Sequence, residues 1–284
     1  MFATIGRTWD IIKICWTVLQ KDRELIVFPI ISGIAMLILA GITFGVGSAT
    51  GAIERAEAAT GSQSTAALQT ADYALFAGIY FVGSFIVIYF NTALVGAAMI
   101  RIRGGDPSVW DGLAIANARL PGIIGWAIVT ATVGLILRIL RDRLRGNIIG
   151  QILVAIGGSM WAYLTFMVIP VLIVDNVGPI EAIKRSGNLF KRTWGEQFTA
   201  NFGFGMISFF AIIVAAIPAF LLFLLSPVAG IALSIVTVGT VIVTVAALEG
   251  IFKAALYEYV AEDVLAEDFS PDLLGGAFVP KGAR

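Results

Sequence analysis

The chain contains uncharged apolar runs that are too long for a water-soluble fold. Residues Leu25–Ile53 carry no charge, and neither do residues Gln197–Leu248. A helix crosses a bilayer with about 20 apolar residues, so the first run is long enough for one crossing and the second for two. Residues Ser226–Gly230 supply a turn within the second run, because serine, proline and glycine interrupt helices. These runs predict a polytopic membrane protein of the all-α class.

The composition supports the same class. Hydrophobic residues make up 58% of the 284 residues and charged residues only 13%, whereas soluble domains carry roughly 25% charged residues. We predict a single transmembrane domain at residues 1–266, followed by a cytoplasmic tail at residues 267–284. Six transmembrane helices are predicted in this domain, at residues 26–46, 76–100, 121–137, 148–174, 202–225 and 228–248.

The distribution of basic residues predicts the orientation. With the N-terminus inside, 14 of the 19 lysines and arginines lie on the inner side, as short cytoplasmic loops prefer. Both termini are then cytoplasmic. The loop after the third span conflicts with this rule, because it carries four arginines and faces outward. An inward-facing loop would make the third span a re-entrant segment.

Residues Pro179–Phe198 predict an amphipathic helix at the cytoplasmic membrane surface. Apolar residues recur at intervals of three or four and lie on one side of such a helix: Ile180, Ile183, Gly187, Phe190 and Trp194. Basic residues lie on the other side: Lys184, Arg185, Lys191 and Arg192. An apolar stripe, a basic face and a tryptophan are typical of helices that lie in the membrane interface. The alternative is a helix packed on other cytoplasmic loops of the same protein.

Two further segments follow a similar plan. Residues 2–19 carry an apolar helical stripe that includes Trp9, and Asp106–Asp111 predicts a helix start, with Asp106 as the cap and Pro107 in the first turn. Each tryptophan-containing segment precedes an apolar hairpin. The pattern indicates three hairpin pseudo-repeats, although any six-span protein has three inner segments before three hairpins.

The sequence offers little for catalysis. It contains no histidine and a single cysteine, Cys15, so the commonest general base, the commonest metal ligand and any disulfide within the chain are excluded. No nucleophile-elbow or phosphate-loop motif occurs. We therefore expect no enzyme activity, catalytic residue, cofactor or metal. The net charge of zero gives no field that would attract nucleic acid.

Three groups of polar residues remain as candidate contact sites. Arg138, Arg141 and Arg145 share a helix face and could bind lipid headgroups or an acidic partner, or simply extend to the membrane surface. Asn91 lies within the second span, where its amide needs a partner across helices or lines a polar cavity. Glu249 and Lys253 have the i, i+4 spacing of a structural ion pair at the end of the sixth span.

Several stretches resemble a family of uncharacterised bacterial six-span membrane proteins, known only as a domain of unknown function. They are Ala182–Ser186 continuing to Thr193–Glu196, Tyr89–Val95, and Arg119–Pro121 with Gly125 and Trp126. The similarity is expected over nearly the whole chain. It implies six helical spans and residence in the bacterial inner membrane, but no activity, substrate or site.

Two functions are consistent with these observations. The first is a non-catalytic membrane-organising or accessory subunit that contacts lipids and a partner complex, with a membrane protein or a second copy of the chain as partner. The second is a small transporter or lipid carrier with a cavity among the spans near Asn91. Tightly packed spans with an apolar outer face favour the first function, and an open polar cavity favours the second.

Overall fold

The computed structural model describes residues 2–60, 69–144, 146–192 and 197–262, and these residues form helices and short connections without any strand. The helices are α1 (Phe2–Lys21), a 3-10 turn (Arg23–Ile26), α2 (Val27–Ala49), α3 (Ala52–Thr60), α4 (Thr70–Ile102), α5 (Val109–Ala118), α6 (Leu120–Arg143), α7 (Ile148–Leu164), α8 (Val168–Asp175), α9 (Pro179–Arg192), α10 (Gln197–Leu225) and α11 (Pro227–Ala261).

Six segments of the described chain are long and apolar enough to cross a membrane: Arg23–Ala49, Thr70–Ile102, Leu120–Arg143, Ile148–Asp175, Ser208–Leu225 and Pro227–Ala261. The prediction of an all-α protein with six such helices is therefore confirmed. The third segment extends beyond the predicted residues 121–137, and the sixth extends well beyond residues 228–248. Residues 267–284, the predicted tail, lie outside the described residues.

Successive spans run in opposite directions, so the bundle has two different ends. We call one the packed end, which comprises α1, the 3-10 turn, α5, α8, α9 and the adjoining parts of α2, α4, α6 and α11. We call the other the far end, which comprises α3 and the α6–α7 and α10–α11 turns. If each span crosses once, the packed end and the far end lie on opposite sides of the membrane.

The hydrophobic core lies at the packed end. Helix α4 is buried continuously from Thr92 to Met99, and α11 contributes buried residues between Ala247 and Glu258. Large side chains from α1, the 3-10 turn, α2 and α8 fill the space around them: Ile11, Leu25, Phe28 and Leu172. The small residues in this part of α4 let the neighbouring helix backbones approach closely.

Helix α5 shows how close this approach is. A Cβ atom on Gly112 would lie 2.7 Å from the backbone oxygen of Ala93 and 2.5 Å from Phe28 Cζ, so only glycine fits between α4 and α2. The helix begins two residues later than predicted. Ser108, rather than Asp106, is the N-cap: its Oγ accepts a hydrogen bond from the Asp111 amide at 3.2 Å, and Asp111 accepts one from the Ser108 amide at 2.9 Å.

The fourth apolar segment is not one continuous helix, although residues 148–174 were predicted as one span. It breaks at residues 165–167, between α7 and α8. Pro170 has no N–H to donate to the carbonyl of Phe166, and its ring would clash with that carbonyl in a regular helix. Thr165 stabilises the end of α7, since its Oγ1 donates to the Trp161 carbonyl at 2.8 Å. The buried Ser186 of α9 then accepts a hydrogen bond from the Met167 amide at 3.1 Å.

We predict that a cysteine at position 141 and a cysteine at position 184 react from opposite sides of the membrane. Arg141→Cys lies at the far end and Lys184→Cys in α9, and both positions are exposed. In intact cells, a membrane-impermeant maleimide should label one variant, and the other only after permeabilisation.

The native chain is the control for this labelling. Cys15 is fully buried, and burial raises the pKa of its thiol, so the unsubstituted protein should stay unlabelled until it is denatured. Labelling of both variants from the same side would show that the third apolar segment is re-entrant.

Candidate functional site at the packed end

Arg101 connects three parts of the packed end. Its guanidinium binds both carboxylate oxygens of Asp22, which precedes the 3-10 turn and is only 5% exposed. Its Nη2 also donates to Asp106 Oδ1 at 2.9 Å, in the connection between α4 and α5. Glu24 adds a further link, because its carboxylate accepts a hydrogen bond from the Val109 amide at 2.8 Å. These contacts hold the N-terminal segment against the end of α4.

Arg103 forms an ion pair with Glu258 of α11. Arg103 Nη2 lies 2.8 Å from Glu258 Oε1, and its Nε lies 3.1 Å from each carboxylate oxygen. The Glu258 side chain is completely buried, whereas the Arg103 side chain is half exposed. Hydrogen bonding to Glu258 raises the pKa of Arg103 above its ordinary value. A buried carboxylate needs such a partner, because an unpaired buried charge is strongly destabilising.

Arg119 occupies the junction between α5 and α6. Its Nε donates to the carbonyl of Ile173 at 2.9 Å, in the last turn of α8, where helix carbonyls lack a partner within the helix. Among the residues that the structure describes, no carboxylate forms an ion pair with Arg119. Its positive charge is therefore not neutralised by an ion pair with a described acidic side chain.

Arg103 and Arg119 line the same cavity. It has a volume of about 290 Å³ and lies between the ends of α4, α6 and α8; its lining consists of Met99, Ile100, Arg103, Arg119, Ile173 and Val174. The cavity is thus lined by two arginines and four apolar residues.

The predicted helix at residues 179–198 is present as α9 up to Arg192, and it packs on α6, α7 and α8. Ala182 and Ser186 are fully buried, and Ile183 packs against the core. Ile180, which the sequence assigns to the same apolar stripe, is 59% exposed. The predicted stripe is therefore divided between a protein-facing side and the surface. The side chains of Phe190, Lys191 and Arg192, and the whole of Trp194, lie outside the described part.

The two remaining basic residues of α9 differ in their contacts. Lys184 is exposed. Arg185 donates to Asp175 at 2.8 Å and to Glu181 at 3.2 Å, so it joins α9 to the end of α8. Hydrogen bonding to Asp175 and then to Glu181 raises the pKa of Arg185. Asp175 also accepts a long hydrogen bond, 3.4 Å, from the hydroxyl of Tyr257 in α11.

The other predicted arginines are not part of this site. Arg138 and Arg141 are exposed in the last turns of α6, at the far end, and Arg145 lies outside the described residues. The structure therefore separates Arg138 and Arg141 from Lys184 and Arg185 by the length of the spans.

The predicted intramembrane polar residues lie along α4 and α11. Asn91 is half-buried and faces α11, with its Oδ1 3.8 Å from the position that a Cβ atom on Gly250 would occupy. Lys253 Nζ lies 2.8 Å from Glu249 Oε1 and 5.1 Å from the centre of the Phe166 ring. Asn91 thus contacts α11, and Lys253 contacts the connection between α7 and α8. Within the part of the chain that the structure describes, no group of three His, Cys, Asp or Glu residues could hold a metal ion.

No local pattern in the sequence marks the residues around the cavity as a site. Arg103 and Arg119 are visible only as charges at the ends of spans, and the partner of Arg103 is 155 residues away. One available signal is Glu258 itself, a carboxylate within the mainly apolar stretch that ends α11. The Arg119–Pro121 stretch is a second signal, because Arg119 and Gly125 there contact α8 and Pro179.

Six apolar helices, joined by charged connections that gather at one end, define a multi-pass α-helical membrane protein. The chain belongs to a family of unknown function (DUF6159), whose sequence model matches residues 70–266. The match covers α4 to α11, including Arg103, Arg119 and Glu258, but not α1 to α3, so it is shorter than the near-complete similarity expected. No curated protein matches the chain.

We predict that Arg103→Ala lowers the free energy of unfolding by about 3 kcal/mol, because it leaves the buried Glu258 carboxylate without its partner. The double variant Arg103→Ala/Glu258→Gln should recover much of this loss, since it removes the unpaired charge. Thermal unfolding in a mild detergent measures both effects.

Arg141→Ala is the matched control for these variants, because it removes an exposed arginine at the far end and should leave the unfolding temperature nearly unchanged. A double variant no more stable than Arg103→Ala would contradict the prediction.

Proposed function

We propose that this protein is a non-catalytic membrane-organising or accessory subunit that contacts lipids and a partner complex in a bacterial inner membrane, with both termini in the cytoplasm. The observation that carries this proposal is the contrast between the two parts of the molecule. The packed end has a protein-like core with exposed tryptophans and basic side chains. Towards the far end, by contrast, large apolar side chains cover the surface.

Exposed tryptophans support contact with the membrane surface. Trp9 and Trp16 of α1 and Trp110 of α5 are all exposed, and Trp110 has 79% of its surface accessible. Tryptophan is enriched at membrane–water interfaces, where the ring lies at the level of the headgroups. The exposed Lys184 adds a positive charge at the same end, which favours anionic lipids or an acidic partner surface.

The apolar surface of the spans supports contact with lipid chains or another membrane protein. The α10–α11 hairpin exposes large side chains on both helices and at its tip, including Phe209, Phe220, Leu225 and Val228, with Leu225 84% exposed. The described part of α10 packs on α11 and α1. This leaves a broad face for acyl chains, a membrane-protein partner or a second copy of the chain.

The polar groups of the packed end support a structural rather than a catalytic role. Asp22, Asp106 and Glu258 each bind an arginine, and such paired carboxylates are poor general bases. The sequence also contains no histidine. Basic residues concentrated in the segments that flank the packed end support its cytoplasmic placement.

A specific observation also favours the second function, a small transporter or lipid carrier. The cavity between Arg103 and Arg119 has the polar and apolar lining that an amphiphile requires. It lies at the ends of the spans, however, and not among them beside Asn91.

We predict that replacing Lys184, Arg185, Lys191 and Arg192 together with glutamate reduces, several-fold, the recovery of co-purifying lipids and proteins. Reversed charges repel anionic headgroups and any acidic partner surface. Gentle purification followed by mass spectrometry of the associated proteins and lipids measures the change.

A charge-conserving variant serves as the control, with each lysine changed to arginine and each arginine to lysine at the same four positions. It should retain the associated molecules. Unchanged membrane localisation, abundance and co-purification of the glutamate variant would count against the proposed role of α9.

A further inference from the structure

The cavity at the packed end has an unbalanced charge. The Glu258 carboxylate neutralises Arg103 by binding two nitrogens of the Arg103 guanidinium, Nε and Nη2. Arg119 uses its Nε for the Ile173 carbonyl and has no ion-pair partner among the described residues. The terminal nitrogens of Arg119 therefore leave a positive charge in the cavity wall. The start of α6 at Leu120 is positive, whereas the ends of α4 and α8 at the cavity are negative, so the positive charge rests on the arginine side chains.

The cavity combines residues at the ends of the spans with residues of their last turns. Arg103 directly follows the last residue of α4, and Arg119 directly precedes the first residue of α6. Both arginines therefore lie at the ends of segments that are apolar enough to cross a membrane, where headgroups would lie if these segments span a bilayer. Met99, Ile100, Ile173 and Val174 belong to the spans themselves. A ligand that fills the cavity would thus meet positive charge beside apolar residues.

The size of the cavity limits what it can hold. Small-molecule sites have volumes of about 300–1,000 Å³, so a cavity of about 290 Å³ is at the lower limit. It has room for a phosphate group and the first carbons attached to it, but not for a complete lipid. The acyl chains would have to leave the cavity along neighbouring exposed apolar side chains, such as Ile124 and Ile128 of α6.

We propose that this cavity binds the phosphate headgroup of an anionic phospholipid, with Arg119 as the principal contact and Arg103 as the second. Guanidinium groups bind phosphate oxygens through two parallel hydrogen bonds, and such charge-assisted bonds are the strong ones. The inference deepens the proposed function, on which it rests, because it assigns the lipid contact to a defined site and a defined headgroup.

Binding of phosphatidylglycerol to the delipidated full-length protein, measured by native mass spectrometry in detergent, tests the proposal. Phosphatidylcholine and inorganic phosphate are the comparison ligands. Arg119→Gln should weaken phosphatidylglycerol binding by about tenfold, as expected for the loss of one charge-assisted pair. Arg141→Gln is the matched control, because it removes an exposed arginine at the far end and should leave the affinity unchanged.

A second variant keeps the test valid if Arg119→Gln does not fold. Val174→Phe fills the cavity and leaves both arginines in place, so it should also weaken phosphatidylglycerol binding. Retained affinity in both variants, or equal losses in Arg119→Gln and Arg141→Gln, would overturn the proposal. Inorganic phosphate that binds as tightly as the lipid would assign the cavity to a free anion and overturn the lipid assignment.

The result can be separated from the test of the proposed function. Loss of partner proteins in the α9 charge reversal, together with unchanged lipid binding in Arg119→Gln, would overturn only the cavity assignment. Lipid binding that depends on Arg119, together with unchanged co-purification in the α9 variant, would support the cavity and count against the accessory-subunit role.

Discussion

Two buried carboxylates determine how the packed end is assembled. Asp22 and Glu258 come from opposite ends of the sequence, and both bind arginines at the end of α4, Arg101 and Arg103. A buried ion without its partner costs several kcal/mol, so these two pairs are satisfied only when the start of the chain, α4 and α11 come together in one register. The remaining helices pack around this arrangement.

The position of the core depends on what surrounds each part of the chain. In the bilayer, lipid is as apolar as a leucine side chain, so the spans gain little by burying large residues against one another. At the packed end, the helices α1, α5, α8 and α9 pack against the ends of the spans and cover their apolar side chains. The core therefore forms at the packed end, around the small residues of α4 and at Gly112, while the spans near the far end keep large side chains such as Leu225 on the surface.

The break between α7 and α8 links this packing to the candidate site. Because Pro170 interrupts the helix, α8 is a short separate element whose start binds Ser186 and whose end binds Arg185 and Arg119. The Ile173 carbonyl fixes Arg119 beside Arg103, and the cavity lies between them. A continuous helix through residues 165–167 would orient these carbonyl and carboxylate groups differently. One local interruption therefore supports the positions of Arg119 and Arg185.

The sequence by itself determined the all-α class, the presence of six apolar helices, the turn at Ser226 and the i, i+4 spacing of Glu249 and Lys253. Each of these depends on contiguous residues, on helical periodicity or on the thickness of a bilayer. The sequence did not determine that Ser108 caps α5, that the fourth apolar segment divides, or which side of α9 is buried. Neighbouring elements compete to make the contacts that decide these three features. Only the tertiary structure brought Glu258 to Arg103 and placed Arg119 beside them, because pairing over 155 residues depends on the register of packed helices and not on any local pattern.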